Sequence, residues 1–127
     1  MATTHERIGD ALVFHVGEGE WFNHLGNYRW DMGEDAEERP PSPWHLELQT
    51  TIDQQEPMPR CVVVDASTVD RLVSLDLGFL VKLSMVLSET NTKLAVAAQR
   101  NTREAARYAN LTRYFDLCDS VEDALAR

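Results

Sequence analysis

The chain has 127 residues, 43% of them hydrophobic, which suits one domain with a packed core rather than a disordered polypeptide. Its net charge of −9 is spread unevenly, with 12 acids against 3 bases in residues 1–59 and 9 of each in residues 60–127. That balance lacks the basic footprint nucleic-acid binding requires, and no apolar run approaches the roughly 20 residues of a membrane helix, so a cytoplasmic protein with no membrane insertion and no nucleic-acid partner is expected.

Residues 1–10 read as a loose start. Ala11–Val16 (A-L-V-F-H-V) reads as a first strand, with His15 a strand residue rather than a metal ligand. Gly17–Trp30 is aromatic and punctuated by glycine, as in a second strand or a hairpin around Gly26-Asn27. Asp31, Glu34, Asp35, Glu37 and Glu38 precede Arg39-Pro40-Pro41, so residues 31–41 are expected to be an acidic, proline-containing mobile loop. The acids lack the alternating offsets and closing Glu of a calcium loop, so no metal is expected there. Ser42-Pro43 supplies an N-cap and a proline at the first helical position, predicting a helix over 43–55. Trp44, Leu48 and Ile52 recur every four residues as a narrow buried stripe, and Pro57 and Pro59 stop the helix.

The centre of the chain is Arg60–Glu89. Cys61–Val64 is short and β-branched, as in a buried strand, and ends at Asp65. After a loop, residues 75–89 carry Phe79, Leu80, Leu83, Val86 and Leu87 at helical spacing. A strand at Lys93–Ala98 follows, so the two strands should pair in parallel through a right-handed crossover. Asn101 with Glu104 has the spacing of a capping box, predicting a helix over 102–109. Asn110 suits the left-handed conformation at its end. Tyr114–Cys118 reads as the last strand, and Ser120 opens a final helix over 120–126 with Glu122 and Asp123 in its first turn.

Nothing in the sequence points to catalysis or to a cofactor. His5, His15, His24 and His45 are scattered, and there is no H-E-x-x-H, glycine-rich phosphate loop or paired-cysteine motif. Cys61 and Cys118 both fall in predicted strands and read as buried thiols.

The stretch V-D-A-S-T-V-D-R-L-V-S-L-D-L-G-F-L, followed by K-L-A-V-A-A, T-R-E-A-A-R-Y-A-N-L and Y-F-D-L-C-D-S-V-E-D-A-L, resembles a STAS domain. This is the fold of bacterial anti-sigma factor antagonists and of sulfate-transporter tails. The family places a strand-end Asp before a loop and a D-S-S-G-L-G-type motif that opens a helix. Asp65 falls on the strand-end Asp, Ser74 on the first motif Ser, and Leu77, Gly78 and Leu80 on the pattern that follows. The departures are Val73 at the motif Asp, Leu75 at the usual phosphorylated Ser, and Asp76 at the motif Gly.

The resemblance implies an α/β fold, a single STAS-like domain over 1–127 with a mixed four- to five-stranded sheet. It implies a non-enzymatic regulator in signal transduction and transcription, with no cofactor, that binds an anti-sigma factor or serine-kinase-like protein. The alternative is a non-switching subunit of a larger signalling or transport assembly, and a homodimer is a further partner. Ser74 is the nearest phosphoacceptor, although its hydroxyl also fits an ordinary N-cap. Ser67 and Thr68 read as turn residues.

On a helical wheel at about 100° per residue, Leu75, Phe79, Lys82 and Val86 lie on one side of the central helix, and Leu77, Leu80 and Leu87 on the other. Together with Ser74, Asp76 and Met85, the first group makes the expected partner surface.

Overall fold

The computed structural model describes residues 4–16, 43–69, 72 and 74–126, the side chains of Pro43, Ser74 and Leu75 apart. In chain order the elements are β1 (Thr4–Ile8), β2 (Ala11–His15), α1 (Pro43–Asp53), β3 (Cys61–Ala66), α2 (Ser74–Ser88), β4 (Lys93–Ala98), α3 (Arg100–Tyr108), a 3-10 turn (Leu111–Arg113), β5 (Asp116–Cys118) and α4 (Val121–Leu125). One five-stranded mixed sheet runs β1-β2-β3-β4-β5, antiparallel between β1 and β2 and parallel thereafter. The expected pairing of Cys61–Val64 with the next strand is present, with Val62 opposite Leu94 and Val64 opposite Val96.

The central strands are buried on both faces, as parallel strands usually are, and this is why they read as continuous apolar runs. Alternation still divides the core. Leu12, Phe14, Val62, Val64, Leu94 and Val96 point to one face, where Trp44, Leu48 and Ile52 of α1 and Leu80, Leu83 and Leu87 of α2 pack on them. Val13, Val63, Ala95 and Cys118 point to the other, under Ala124 of α4. Full burial stabilises each of the larger side chains by about 1.5–3 kcal/mol. The four-residue stripe of α1 is therefore interior, as its spacing predicts.

Three local expectations are corrected. The loose start contains a strand: Gly9, at φ 59, makes the two-residue turn that pairs Ile8 with Ala11. Every residue of β1 is exposed, so it carries no apolar alternation to read. The helix expected at 102–109 begins two residues earlier, at Arg100. Its N-cap is Gln99, Glu104 binds Arg100, and Asn101 accepts from the Thr102 N–H instead of closing a capping box. α1 ends at Asp53 rather than Gln55. By contrast, the Ser120 hydroxyl accepts from the Asp123 N–H, and Asn110 is left-handed at φ 62, as expected. The expected strand or hairpin at 17–30, the acidic loop at 31–41 and the Ser42 cap lie outside the described residues.

Candidate functional site

The parallel strands deliver their carboxyl ends to one edge of the sheet, where β3 leads towards α2. Asp65 sits there with every oxygen occupied. Its Oδ1 accepts from the Ser67 hydroxyl at 2.6 Å and the Ser67 N–H at 3.1 Å, and its Oδ2 lies 2.6 Å from His15 Nδ1 on β2. The other ring nitrogen of His15 lies 3.0 Å from Glu6 on β1. A neutral imidazole has one N–H, so satisfying two carboxylates requires the doubly protonated ring. Burial alone pulls the His15 pKa down, but the hydrogen bonds and charges of Glu6 and Asp65 outweigh it and raise the value. For Asp65, burial pushes up; the two Ser67 hydrogen bonds and His15 outweigh it and lower the value.

This arrangement holds a Ser, a His and an Asp together without the order of a nucleophilic triad. The serine donates to the carboxylate, not to the histidine, so no base is placed to take its proton. Ser67 is a turn residue here, as is Thr68, whose hydroxyl reaches the Val16 carbonyl at 3.4 Å. The Cys61 thiol is pushed up by burial and by Asp116 and Cys118, against a smaller opposing effect of Lys93, so it is not primed as a thiolate. Among the described residues no group of three or more His, Cys, Asp or Glu side chains could hold a metal ion.

Below this edge, α1 lies against the first turns of α2. His45 donates its Nε2–H to Asp76 Oδ1 at 2.9 Å, with the side chains 2% and 0% exposed. The His45 ring stacks on Phe79 at 4.1 Å and 7°, and Trp44 stands edge-on to both rings. Asp76, expected on the partner surface, is buried under α1, and Phe79 is half-buried against His45 and Trp44. His45 is the residue that sequence reasoning missed. Its partner is 31 positions away, on a different helix, so no local spacing marks it.

The C-terminal half of α2 has a solvent-facing side. Met85 and Val86 are 56% and 61% exposed, and Lys82 is exposed beside them. Val86 and Lys82 also border a groove of about 370 Å³ between the helices, with Ile52, Met58, Leu83 and Leu87 among its lining. Gly78 is exposed one to two turns earlier, and a Cβ added there meets nothing within 4 Å. Ser74 begins the helix, and the side chains of Ser74 and Leu75 lie outside the described residues. Of the residues expected on the partner surface, Asp76 is buried, Phe79 is half-buried, and Lys82, Met85 and Val86 are exposed.

Comparison with solved structures decides what this architecture is. RsbS from Moorella thermoacetica, in a serine-to-glutamate variant, matches with a TM-score of 0.68 and 11% identity, over 99% of this chain and 93% of that one. An anti-sigma factor antagonist from Mycobacterium paratuberculosis matches with a TM-score of 0.65 and 20% identity, over 98% and 91%. The fold is STAS-like.

A further STAS-like match is the protein TM1081, with a TM-score of 0.66 and 13% identity, over 97% of this chain and 85% of that one. No family model and no curated protein matches the sequence. The likeness therefore lives in the backbone. In this chain α2 follows β3, and Asp76 lies in its first turn. Asp76 gives His45 a hydrogen-bond partner inside the helix–helix contact.

Proposed function

We propose that this chain is a bacterial regulatory protein-binding module of the anti-sigma factor antagonist kind, a single non-enzymatic STAS-like domain. Its partner docks on the outer face of α2 around Lys82, Met85 and Val86. The observation that carries the reading is the exposure of Met85 and Val86, adjacent apolar side chains on a helix whose inner face is already buried. The partners that fit are an anti-sigma factor or serine-kinase-like protein, or another subunit of a STAS assembly.

The motif departures favour the module that does not switch at the usual place. Leu75 has no hydroxyl, and Asp76, bonded to His45 in the interior, presents no surface charge that would imitate a phosphate. Incubation with a cognate kinase and ATP should leave the start of α2 unmodified by mass spectrometry. Phosphate on Ser74 would restore the switching reading.

The docking test is calorimetric titration against kinase-like proteins encoded beside the gene, with the wild type and the variant Met85→Ser/Val86→Ser. Binding should weaken by about tenfold or more, as expected when central apolar anchors are truncated. The melting temperature should stay within about 2 °C, because exposed side chains add little to stability. A loss of several kcal/mol of stability would mean that this face is interior. Wild-type affinity for the double variant would move the partner surface elsewhere.

A further inference from the structure

The acidic charge of the chain is interrupted in one place. Between Gln99 and Tyr114 the sequence has four arginines, Arg100, Arg103, Arg107 and Arg113, against one acid, Glu104, a local charge of +3 within a chain of −9. Arg100, Arg103 and Arg107 follow the spacing i, i+3, i+7 on α3 and fall within about 60° of one another at ~100° per residue. Thr102 and Ala106, at about 200° and 240° from Arg100, are buried, so Arg100 and Arg107 face outward and Arg103, at about 300°, lies at the border of the buried side. The left-handed turn at Asn110 then folds the 3-10 segment back against the helix end, which adds Arg113 to the same region.

Aromatic side chains accompany the arginines. Tyr108 is 94% exposed, and the Arg113 guanidinium lies 5.3 Å from the centre of the Tyr114 ring. Among the described residues, Arg100 alone of the four is engaged with a carboxylate, Glu104 at 3.0 Å, in a solvent-exposed pair of the kind that contributes little. Arg103 buries its Nε without a hydrogen-bond partner among the described residues, so its guanidinium is already partly desolvated. Planar guanidinium groups in a row beside exposed rings suit bidentate carboxylate contacts with apolar groups between them.

We propose that α3 and the turn that follows it form a second docking surface, distinct from the α2 patch, which takes an acidic segment of a partner protein. Charge complementarity selects the occupant. A phosphodiester backbone would also meet the arginines, but a polyanion as large as a nucleic acid would be repelled by the remaining surface of a chain with net charge −9. A short acidic segment reaches the stripe without meeting that surface.

The test is fluorescence polarisation with a fluorescein-labelled peptide of repeating Glu-Glu-Leu, beside a labelled DNA duplex and a labelled single-stranded oligonucleotide, in about 50 mM and then about 300 mM salt, to read the electrostatic share. The peptide should bind the wild type at low salt and weaken as salt rises. Arg107→Glu/Arg113→Glu reverses two exposed charges and should lower peptide affinity at least about tenfold. Arg7→Glu/Arg60→Glu makes the same change in net charge beside β1 and β2, on the side of the sheet away from β5, and should leave affinity within about twofold. Tyr108→Ala, whose side chain is almost wholly exposed, should weaken the peptide several-fold without shifting the melting temperature, which separates docking from folding. Three results overturn the proposal: no peptide binding by the wild type at low salt, equal losses in the two charge-reversal variants, or tighter binding of either nucleic acid than of the peptide.

Discussion

Replacing His45 by alanine tests whether the contact between α1 and α2 has the structural weight its geometry implies. Two costs follow from the buried arrangement. The Asp76 oxygen that accepts the Nε2–H at 2.9 Å loses that donor where exposure is 0%, and the loss of one hydrogen bond to a buried acceptor costs about 1–3 kcal/mol. The ring also fills space between Phe79 and Trp44. A void on the order of 60 Å³ would add about 1–1.5 kcal/mol at ~24 cal/mol per Å³. The expected loss is therefore about 2–4 kcal/mol, out of a total of about 5–15 for a domain of this kind. In a thermal melt that is a fall of about 8–15 °C. Urea denaturation of His45→Ala, Asp76→Ala and the double variant closes a thermodynamic cycle, and the double should fall short of the sum of the singles by about 1–3 kcal/mol. Amide exchange across Pro43–Asp53 should quicken in the same variants, because the contact fastens that helix. A loss below about 1 kcal/mol for His45→Ala, or strict additivity in the cycle, would refute the contact and return Asp76 to the surface.

Two further outcomes follow from single groups. The folded pKa of His15 is raised above its ordinary 6.5, so the stability it contributes is whole below that value and lost as pH rises through the folded one; Asp65 is lowered from 3.8, so its contribution is present above 3.8 and lost as pH falls through its folded value. The His15–Asp65 pair is thus complete between those two ordinary values. In melts across pH, His15→Asn should flatten the alkaline loss, and parallel curves for variant and wild type above pH 6.5 would contradict the bridging role. Gly78→Ala should raise stability by about 0.5–1 kcal/mol, because Gly78 is helical and exposed and an added Cβ meets open space. Calorimetry showing destabilisation would mean that the surface there is covered.

The fold was legible where burial imposes a pattern on the sequence. Cys61–Val64 and Lys93–Ala98 are buried on both faces, and their continuous apolar runs announced a parallel pair correctly. Trp44, Leu48 and Ile52 announced the inner stripe of α1. β1 was not legible, because a strand exposed along its whole length has no inside and outside to alternate, and its hold on the sheet is backbone pairing together with polar contacts. The Arg7 guanidinium donates to the Gln55 side chain and the Pro57 carbonyl, links of 48 and 50 positions that no window of sequence contains.

The candidate site divides by the same logic. A helical wheel orders side chains around one axis, and it correctly separated Lys82, Met85 and Val86 from Leu80 and Leu87. It does not say how far along that axis a neighbouring helix reaches. α1 packs His45 and Trp44 on Phe79 but meets the end of α2 only across a groove, so Phe79 is half-buried and Val86, two turns on and at nearly the same angle, is exposed. A buried carboxylate needs hydrogen-bond donors, and α1 supplies one of them to Asp76 in His45, beside the tryptophan that packs in the same contact. The acidic residue in the first turn of α2 and the histidine 31 positions earlier therefore join the two helices through a buried polar contact that no local sequence pattern marks.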